Sequence, residues 1–185
     1  MSILTDTIRK QFKEGDDIRD EGLTTPDTVQ RFDNILYGDD PEWNTMDLYI
    51  PKEEKEKLPI IISFHGGGWV YGDKERYQYY CMSLAERGFA VINFTYRLAP
   101  EFKHPAPLED MNQVAHWIMN HAKDYFLDTE HIYGVGDSAG AHLLVLYASI
   151  LTNKEYASTY DFKVPEGFQF NALALIVVFI TSRLN

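Results

Sequence analysis

The residues best suited to chemistry in this chain lie at positions 136–140, in the order Gly-Asp-Ser-Ala-Gly. Before them, residues 132–135 are mostly apolar and partly β-branched, as in a strand, and after them residues 139–151 have the apolar face of a helix. A G-x-S-x-G sequence on a strand-to-helix turn is a nucleophile elbow, which needs glycine at both ends because the turn crowds the backbone. We therefore predict that Ser138 is a nucleophile.

Two other interpretations of this pentapeptide stay open at this point. An ordinary glycine-containing turn between a strand and a helix would have no chemical role. A nucleotide-binding loop fits less well, because Gly134, Gly136 and Gly140 are not spaced as G-x-G-x-x-G, and no G-K-[ST] follows them.

A second glycine-rich stretch, His65-Gly66-Gly67-Gly68-Trp69, follows a continuous apolar run at residues 59–64. Acyl transfer by a serine needs backbone N–H groups that stabilise the oxyanion, and consecutive glycines can turn these groups inward. We expect Gly67, Gly68 and Ala139, which directly follows the serine, to form this oxyanion hole. A flexible glycine loop without a chemical role is the alternative.

The elements that must position these loops can be predicted along the chain. They are a helix over 1–20, strands over 29–37, 44–50 and 59–64, a helix over 76–87, a strand over 89–94, a helix over 108–122, the elbow strand and helix, a loop over 152–170 and a strand over 172–180. This alternation predicts an α/β fold with a mostly parallel sheet and helices on both faces. We expect one domain over residues 1–185.

Two of these elements carry predictions about exposure. In residues 44–50, apolar side chains alternate with Asp47 and Tyr49, which is typical of an antiparallel edge strand with one wet face. The helix over 1–20 has a single apolar stripe, so it either packs on the body of the protein or contributes to a lid over a pocket.

Composition limits the class of protein. The 185 residues are 45% hydrophobic, enough for one packed core, and the net charge of −11 argues against a nucleic-acid partner or an anionic membrane surface. The single cysteine, Cys81, excludes an internal disulfide and is expected to be a buried thiol. The amino terminus does not have the pattern of a signal peptide, and the longest apolar run, 172–180, is too short to span a bilayer. We therefore expect a cytoplasmic protein that does not bind a membrane.

The histidine pattern gives no reason to expect a metal or another cofactor. His116 and His121 are five positions apart, which suits neither a metal-ligating pair nor one face of a helix.

The motifs together resemble a known family. HGGGW at 65–69 and GDSAG at 136–140, with YRLAPE at 96–101 and LED at 108–110, are similar to the hormone-sensitive-lipase-like branch of the α/β-hydrolase esterases, over residues 25–175. The resemblance implies an α/β-hydrolase-type fold and hydrolysis of small-molecule carboxylesters with short acyl groups. It also implies an acyl-enzyme on Ser138.

The same resemblance implies roles for residues around the serine. Trp69 and Tyr71 are expected to wall the substrate pocket, and His65 to shape the glycine loop without acting as the general base. Structural roles behind the site are implied for Tyr96, Arg97, Glu101 and Asp110.

The sequence departs from the family after the elbow. In this fold the nucleophile is followed by an acid and then by a histidine, but the only histidine after Ser138 is His142, four residues along the same helix. Asp161 and Glu166 are the nearest later acids and match no family position. We therefore expect an esterase by ancestry with little turnover.

The end of the chain suggests a second interpretation. The wholly apolar run over 172–180 and the end at Asn185 predict a partial domain, incomplete at its C-terminal end. The alternative function is a non-catalytic fragment or interaction remnant that self-associates through the unpaired edge of its last strand.

Overall fold

The computed structural model describes residues 3–53 and 56–176. In chain order its elements are α1 (Ile3–Asp20), β1 (Val29–Leu36), β2 (Thr45–Pro51), β3 (Leu58–Phe64), α2 (Lys74–Ala85), β4 (Ala90–Phe94), α3 (Ala106–His121), β5 (Leu127–Asp137), α4 (Ala139–Thr152), α5 (Lys154–Ala157) and β6 (Ala172–Ile176). Of the helices in these two ranges, none has both the length and the apolar character needed to cross a bilayer.

The strands form one sheet in the order β1-β2-β4-β3-β5-β6. The four strands from β4 to β6 in this order are parallel, and β1 and β2 add an antiparallel hairpin at one side. The predicted mostly parallel sheet is confirmed. Because β3 and β5 lie side by side, the loops that leave their carboxyl ends meet at one edge of the sheet.

Helices cover the two faces of this sheet, as predicted. α2 packs on one face, where its Cys81 and Met82 belong to the same buried cluster as Tyr49 and Val91. α3 and α4 pack on the other face against a larger core that includes Ile60, Ile62 and residues of β4. The predicted burial of Cys81 is confirmed, and burial raises the pKa of its thiol to about 12, so this thiol is an inert core group.

The prediction that β2 is an edge strand is wrong. β2 lies between β1 and β4, and its polar residue Asp47 is only 2% exposed. The Lys74 ammonium lies 2.9 Å from the Asp47 carboxylate, and the hydroxyl of Tyr49 donates to the same carboxylate at 2.8 Å. The alternation therefore arises from a buried ion pair, whose lysine lies on α2, and not from contact with water.

Smaller differences concern element ends. β5 begins at Leu127, five residues before the predicted elbow strand, and the short helix α5 lies in the predicted loop over 152–170. α5 forms because the side chain of Asn153 accepts a hydrogen bond from the backbone N–H of Tyr156 and so caps the helix. The last predicted strand is confirmed for residues 172–176, and residues 177–180 lie outside the described ranges.

Candidate active site

Ser138 lies on the turn between β5 and α4, as the G-x-S-x-G pattern predicts. Its backbone has φ +48° and ψ −116°, a left-handed conformation that costs free energy in a residue with a side chain. The N–H of Ser138 donates to the carbonyl of Ile176 at 2.8 Å, and its own carbonyl accepts from the N–H of His142 at 3.1 Å. These bonds hold the strained residue at an exposed position.

Both glycines of the elbow are required by close packing. A Cβ added to Gly140 would lie 2.1 Å from the carbonyl oxygen of Phe64, and one added to Gly136 would lie 2.8 Å from the carbonyl carbon of Gly140. Only glycine allows the start of α4 to contact the end of β3 this closely. The elbow is thereby fixed against the loop that follows β3.

That loop presents free amides. Gly67 and Gly68 have φ of +112° and +61°, and the Gly67 carbonyl accepts from the N–H groups of Val70 and Tyr71 at 3.2 and 3.1 Å. In residues 3–53 and 56–176, no hydrogen bond engages the N–H of Gly67 or Gly68. The N–H of Ala139, at the first position of α4, has no partner within its own helix.

His65 lies beneath the glycine loop. Its ring is fully buried and stacks on the Tyr96 ring with centroids 3.9 Å apart, and its Nδ1 lies 2.8 Å from the carbonyl of Gly66. The hydroxyl of Tyr96 donates to the His65 carbonyl at 2.6 Å. Burial lowers the pKa of His65 to about 4, so the ring is neutral near pH 7 and supports the loop from below.

A second buried cluster fixes the chain after β4. The backbone N–H and the Nε of Arg97 donate to the two oxygens of Asp110 at 2.7 and 2.8 Å, and the side-chain amide of Asn44 donates to the same carboxylate at 3.1 Å. Burial is the largest effect on Asp110 and raises its pKa to about 6. The Arg97–Asp110 pair therefore fixes the loop that follows β4 to α3.

Helix α1 is fixed across the glycine loop by side-chain contacts. The Arg9 guanidinium binds both oxygens of Glu101 at 2.8 and 2.7 Å, and its Nε donates to the Val70 carbonyl at 2.8 Å. The hydroxyl of Tyr71 donates to Asp16 at 2.8 Å, and its ring meets Phe12 edge-on with centroids 5.7 Å apart.

Between α1 and the elbow lies a cleft of about 430 Å³. It is lined by Gln11, Phe12, Gly15, Asp16, Gly66, Gly67, Gly68, Tyr71, Gly72, Tyr77, Asp137 and Ser138. The structure thus brings four of the predicted site residues into one cleft: the serine, both glycines and Tyr71. Trp69, which was predicted to wall the pocket, is not among the lining residues. It is 45% exposed, and its ring packs edge-on against His142 with centroids 5.5 Å apart.

Nothing in the sequence indicates Tyr77 or the partners that fix α1, although a lid contribution by the first helix was one of its two predicted roles. The Tyr77 hydroxyl contacts Gly66 and Asp137, which are 11 and 60 positions away in the chain, and Arg9 is 92 positions from Glu101. No local pattern marks such partners. The apolar stripe of the first helix was the one available signal that α1 packs on something.

The described residues supply no general base beside the serine. Across residues 3–53 and 56–176, the Ser138 side chain has no hydrogen bond to a histidine or carboxylate, and His142 contacts Trp69. In the same ranges, no group of three histidine, cysteine or acidic side chains is arranged to hold a metal ion.

Comparison with known proteins shows similarity to esterases. The sequence pattern of the BD-FAE family matches residues 46–179. The versiconal hemiacetal acetate esterase of Dothistroma septosporum is 37% identical over 103 residues, which cover 55% of this chain and 31% of that protein. The ethyl acetate hydrolase of Pseudomonas putida is 30% identical over 149 residues, covering 79% of this chain and 46% of that protein.

Solved structures agree in fold. Esterase B from Lactobacillus rhamnosis superposes with a TM-score of 0.86 at 30% identity, over 92% of this chain and 55% of that one. A further structure of the same esterase describes its inhibition with a tributyrin phosphonate. A bacterial heroin esterase superposes with a TM-score of 0.69 at 28% identity, over 89% of this chain and 50% of that one. The chain spans less than half the length of the two curated relatives and about half that of these structures.

Proposed function

The chain belongs to the BD-FAE family and has the α/β-hydrolase fold of its esterase relatives, and from this we propose that it is a serine carboxylester hydrolase. The observation that carries the proposal is the cleft that Ser138 shares with Gly67 and Gly68. An exposed hydroxyl and unengaged amides in one cleft are two of the three groups that acyl transfer requires, the third being a general base.

In the proposed reaction the Ser138 oxygen forms a bond to the ester carbonyl carbon. The carbonyl π electrons move onto its oxygen, where the N–H groups of Gly67, Gly68 and Ala139 stabilise the negative charge. Collapse of this tetrahedral species breaks the bond to the alcohol oxygen, and the alcohol leaves with the proton that the serine hydroxyl gave up. Water then hydrolyses the acyl-serine, which releases the carboxylic acid and restores the serine hydroxyl. One such donor is worth about 2.7–4 kcal/mol in subtilisin.

The step that the described residues do not support is removal of the serine proton. His65 is neutral near pH 7 but is buried beneath the loop, and His142 packs on Trp69. In subtilisin, loss of the catalytic histidine lowers kcat by about 10⁶. We therefore propose slow turnover for this chain.

Short-acyl esters are the proposed substrates. The names of two relatives specify acetates, and a cleft of about 430 Å³ lies in the usual size range of small-molecule sites. We also propose that α1 forms part of the cover of this cleft, because Phe12 and Asp16 line it. A cytoplasmic location stays a prediction from the sequence.

The test is p-nitrophenyl acetate hydrolysis by the chain and by its Ser138→Ala variant. Intact-mass and peptide mass spectrometry would follow acetylation of the protein. The proposal expects a slow, serine-dependent rate and acetyl transfer to Ser138, because deacylation also lacks a base. Equal rates and equal labelling in the variant would contradict it, and fast serine-dependent turnover would contradict the missing base alone.

A second candidate function, self-association, is favoured by the outer edge of β6. In the described part of the chain, β6 pairs only with β5, and its residues Leu175 and Ile176 are 43% and 50% exposed. An unpaired apolar strand edge can add a strand from a second copy. Light scattering should show mass that rises with concentration and a return to monomer in Leu175→Lys. A monomer at every concentration would exclude this function.

A further inference from the structure

One phenol joins the two loops of the site. The Tyr77 hydroxyl, on α2, accepts a hydrogen bond from the N–H of Gly66 at 2.9 Å and donates one to the Asp137 carboxylate at 2.7 Å. Gly66 directly precedes the proposed donors Gly67 and Gly68, and Asp137 directly precedes Ser138. A single oxygen atom therefore lies between the glycine loop and the elbow.

The direction of the two bonds is fixed by chemistry. An ionised carboxylate only accepts hydrogen bonds, so the phenolic hydrogen points to Asp137 and the phenol oxygen is left to accept from Gly66. Burial, together with the bond to Asp137, raises the pKa of Tyr77, so the phenol keeps its hydrogen at neutral pH. The bond that ends on the charged carboxylate is the stronger type.

The three groups are also in close contact. A Cβ added to Gly66 would lie 2.6 Å from one Asp137 oxygen and 3.0 Å from the Tyr77 hydroxyl. The helix that carries Tyr77 is itself anchored, because Asp73 caps its first turn by accepting from the N–H of Arg76 at 3.0 Å. Glycine-rich backbone has no side chains of its own to fix its direction, so an external anchor determines where its amides point.

We propose that Tyr77 is a positioning residue for the oxyanion site. It sets the direction of the Gly67 and Gly68 amides relative to Ser138 by tying Gly66 to Asp137 through its hydroxyl. The inference rests on the proposed esterase function for its kinetic consequence. The tie itself is a property of the fold and is measurable without turnover.

The experiment compares Tyr77→Phe with Tyr80→Phe. Both remove one phenol oxygen from α2, but the Tyr80 hydroxyl has no hydrogen-bond partner within residues 3–53 and 56–176. In Tyr77→Phe, amide hydrogen exchange at Gly66 should accelerate about tenfold, the expected effect of one lost hydrogen bond, and the NMR shifts of the Gly67 and Gly68 amides should move. Tyr80→Phe should match the parent chain.

The kinetic readout is the Ser138-dependent rate with p-nitrophenyl acetate. Tyr77→Phe should lower kcat about tenfold or more with KM within about twofold, because misplaced donors weaken transition-state and not ground-state interactions. A structural role alone would lower thermal stability without this split between kcat and KM. If Tyr77→Phe fails to fold, Asp137→Ala takes its place, since it removes the acceptor of the phenol hydrogen and leaves the sequence of α2 unchanged. It should also accelerate amide hydrogen exchange at Gly66.

Unchanged exchange at Gly66 in Tyr77→Phe would overturn the proposal, as would faster exchange with an unchanged Ser138-dependent kcat. Absence of Ser138-dependent turnover in the parent chain would overturn the proposed function and not the tie. In that case faster Gly66 exchange with shifted Gly67 and Gly68 amides supports the tie, and unchanged amides reject it.

Discussion

The floor of the cleft and its proposed cover, helix α1, are held by different kinds of contact. In the floor, made of the glycine loop and the elbow, backbone segments lie so close that Gly140 has no room for a Cβ. The cover, helix α1, is held by charged and polar side chains such as Arg9 and Asp16, and Gly15 on it has no atom near its Cβ position. The same kind of substitution should therefore have opposite results in the two regions.

The largest effect is expected from Gly140→Ala in the floor. Its Cβ would lie 2.1 Å from the Phe64 carbonyl oxygen and 2.5 Å from that of His65. Backbone atoms cannot rotate away as a side chain can, so we expect the free energy of unfolding to fall by about 3 kcal/mol or more. Urea unfolding followed by circular dichroism measures it. A loss no larger than that of an average surface substitution would contradict the steric account of the floor.

The next effect concerns pH and His65, also in the floor. Its pKa falls from 6.5 in the unfolded chain to about 4 in the fold. The folded state therefore binds its proton less readily, and the stabilisation present above pH 6.5 is lost as the pH falls towards 4. At 1.36 kcal/mol per pKa unit, the full loss is about 3 kcal/mol.

The measurement is the free energy of unfolding between pH 7 and 4, compared with His65→Gln. The raised pKa of Asp110 acts in the opposite direction, since it favours the fold as the pH falls from 6 towards 3.8. Asp110 is present in both proteins, so the difference in slope reports His65. Parallel pH profiles for the two proteins would show that His65 is not the titrating group.

A smaller effect of opposite sign is expected from Gly15→Ala in the cover. Gly15 lies within α1 and a Cβ there meets nothing within 4 Å. Alanine loses less backbone entropy than glycine in a helix, so stability should rise by about 0.5–1 kcal/mol, seen as a higher urea midpoint. A destabilised variant would mean that the cover is packed as tightly as the floor.

The smallest effect is expected from Glu101→Gln, which weakens the fixation of α1. The Arg9–Glu101 pair is partly exposed, and such pairs contribute about 0.5 kcal/mol. Hydrogen exchange along α1 should accelerate while exchange in β3 and β5 stays unchanged. Added salt should reduce the difference between the two proteins. Equal acceleration in the sheet would show that cover and floor unfold together.

The floor was predictable from the sequence because its motif and its strands leave local patterns. Glycine at 136 meets a steric limit within the turn itself, and glycine at 140 belongs to the same G-x-S-x-G pattern although its close contact is with the distant Phe64. The apolar runs before the two loops identify parallel strands whose ends meet. The cover was only partly predictable. A stripe of apolar residues predicted α1, but its anchor Glu101 lies far along the chain, and a charge by itself does not reveal its partner.

The same distinction explains the wrong prediction for β2. The alternation in β2 predicts a solvent-exposed face at Asp47, because its partner Lys74 lies on another element and does not affect the periodicity of the strand. Tyr77 was missed for a similar reason. Its two partners belong to two separate loops, and only the folded sheet edge brings them to one hydroxyl.

The contact of α4 with the end of β3 also bears on protein engineering. Because Gly140 lies against Phe64, the turn that carries Ser138 and the glycine loop cannot be altered independently, and we expect libraries built there to return mostly unfolded chains. Variation of Gln11 and Phe12 on α1 changes the wall of the cleft without touching those contacts. For the proposed hydrolase, new substrate preference should therefore be selected from variants of α1, with the floor left as it is.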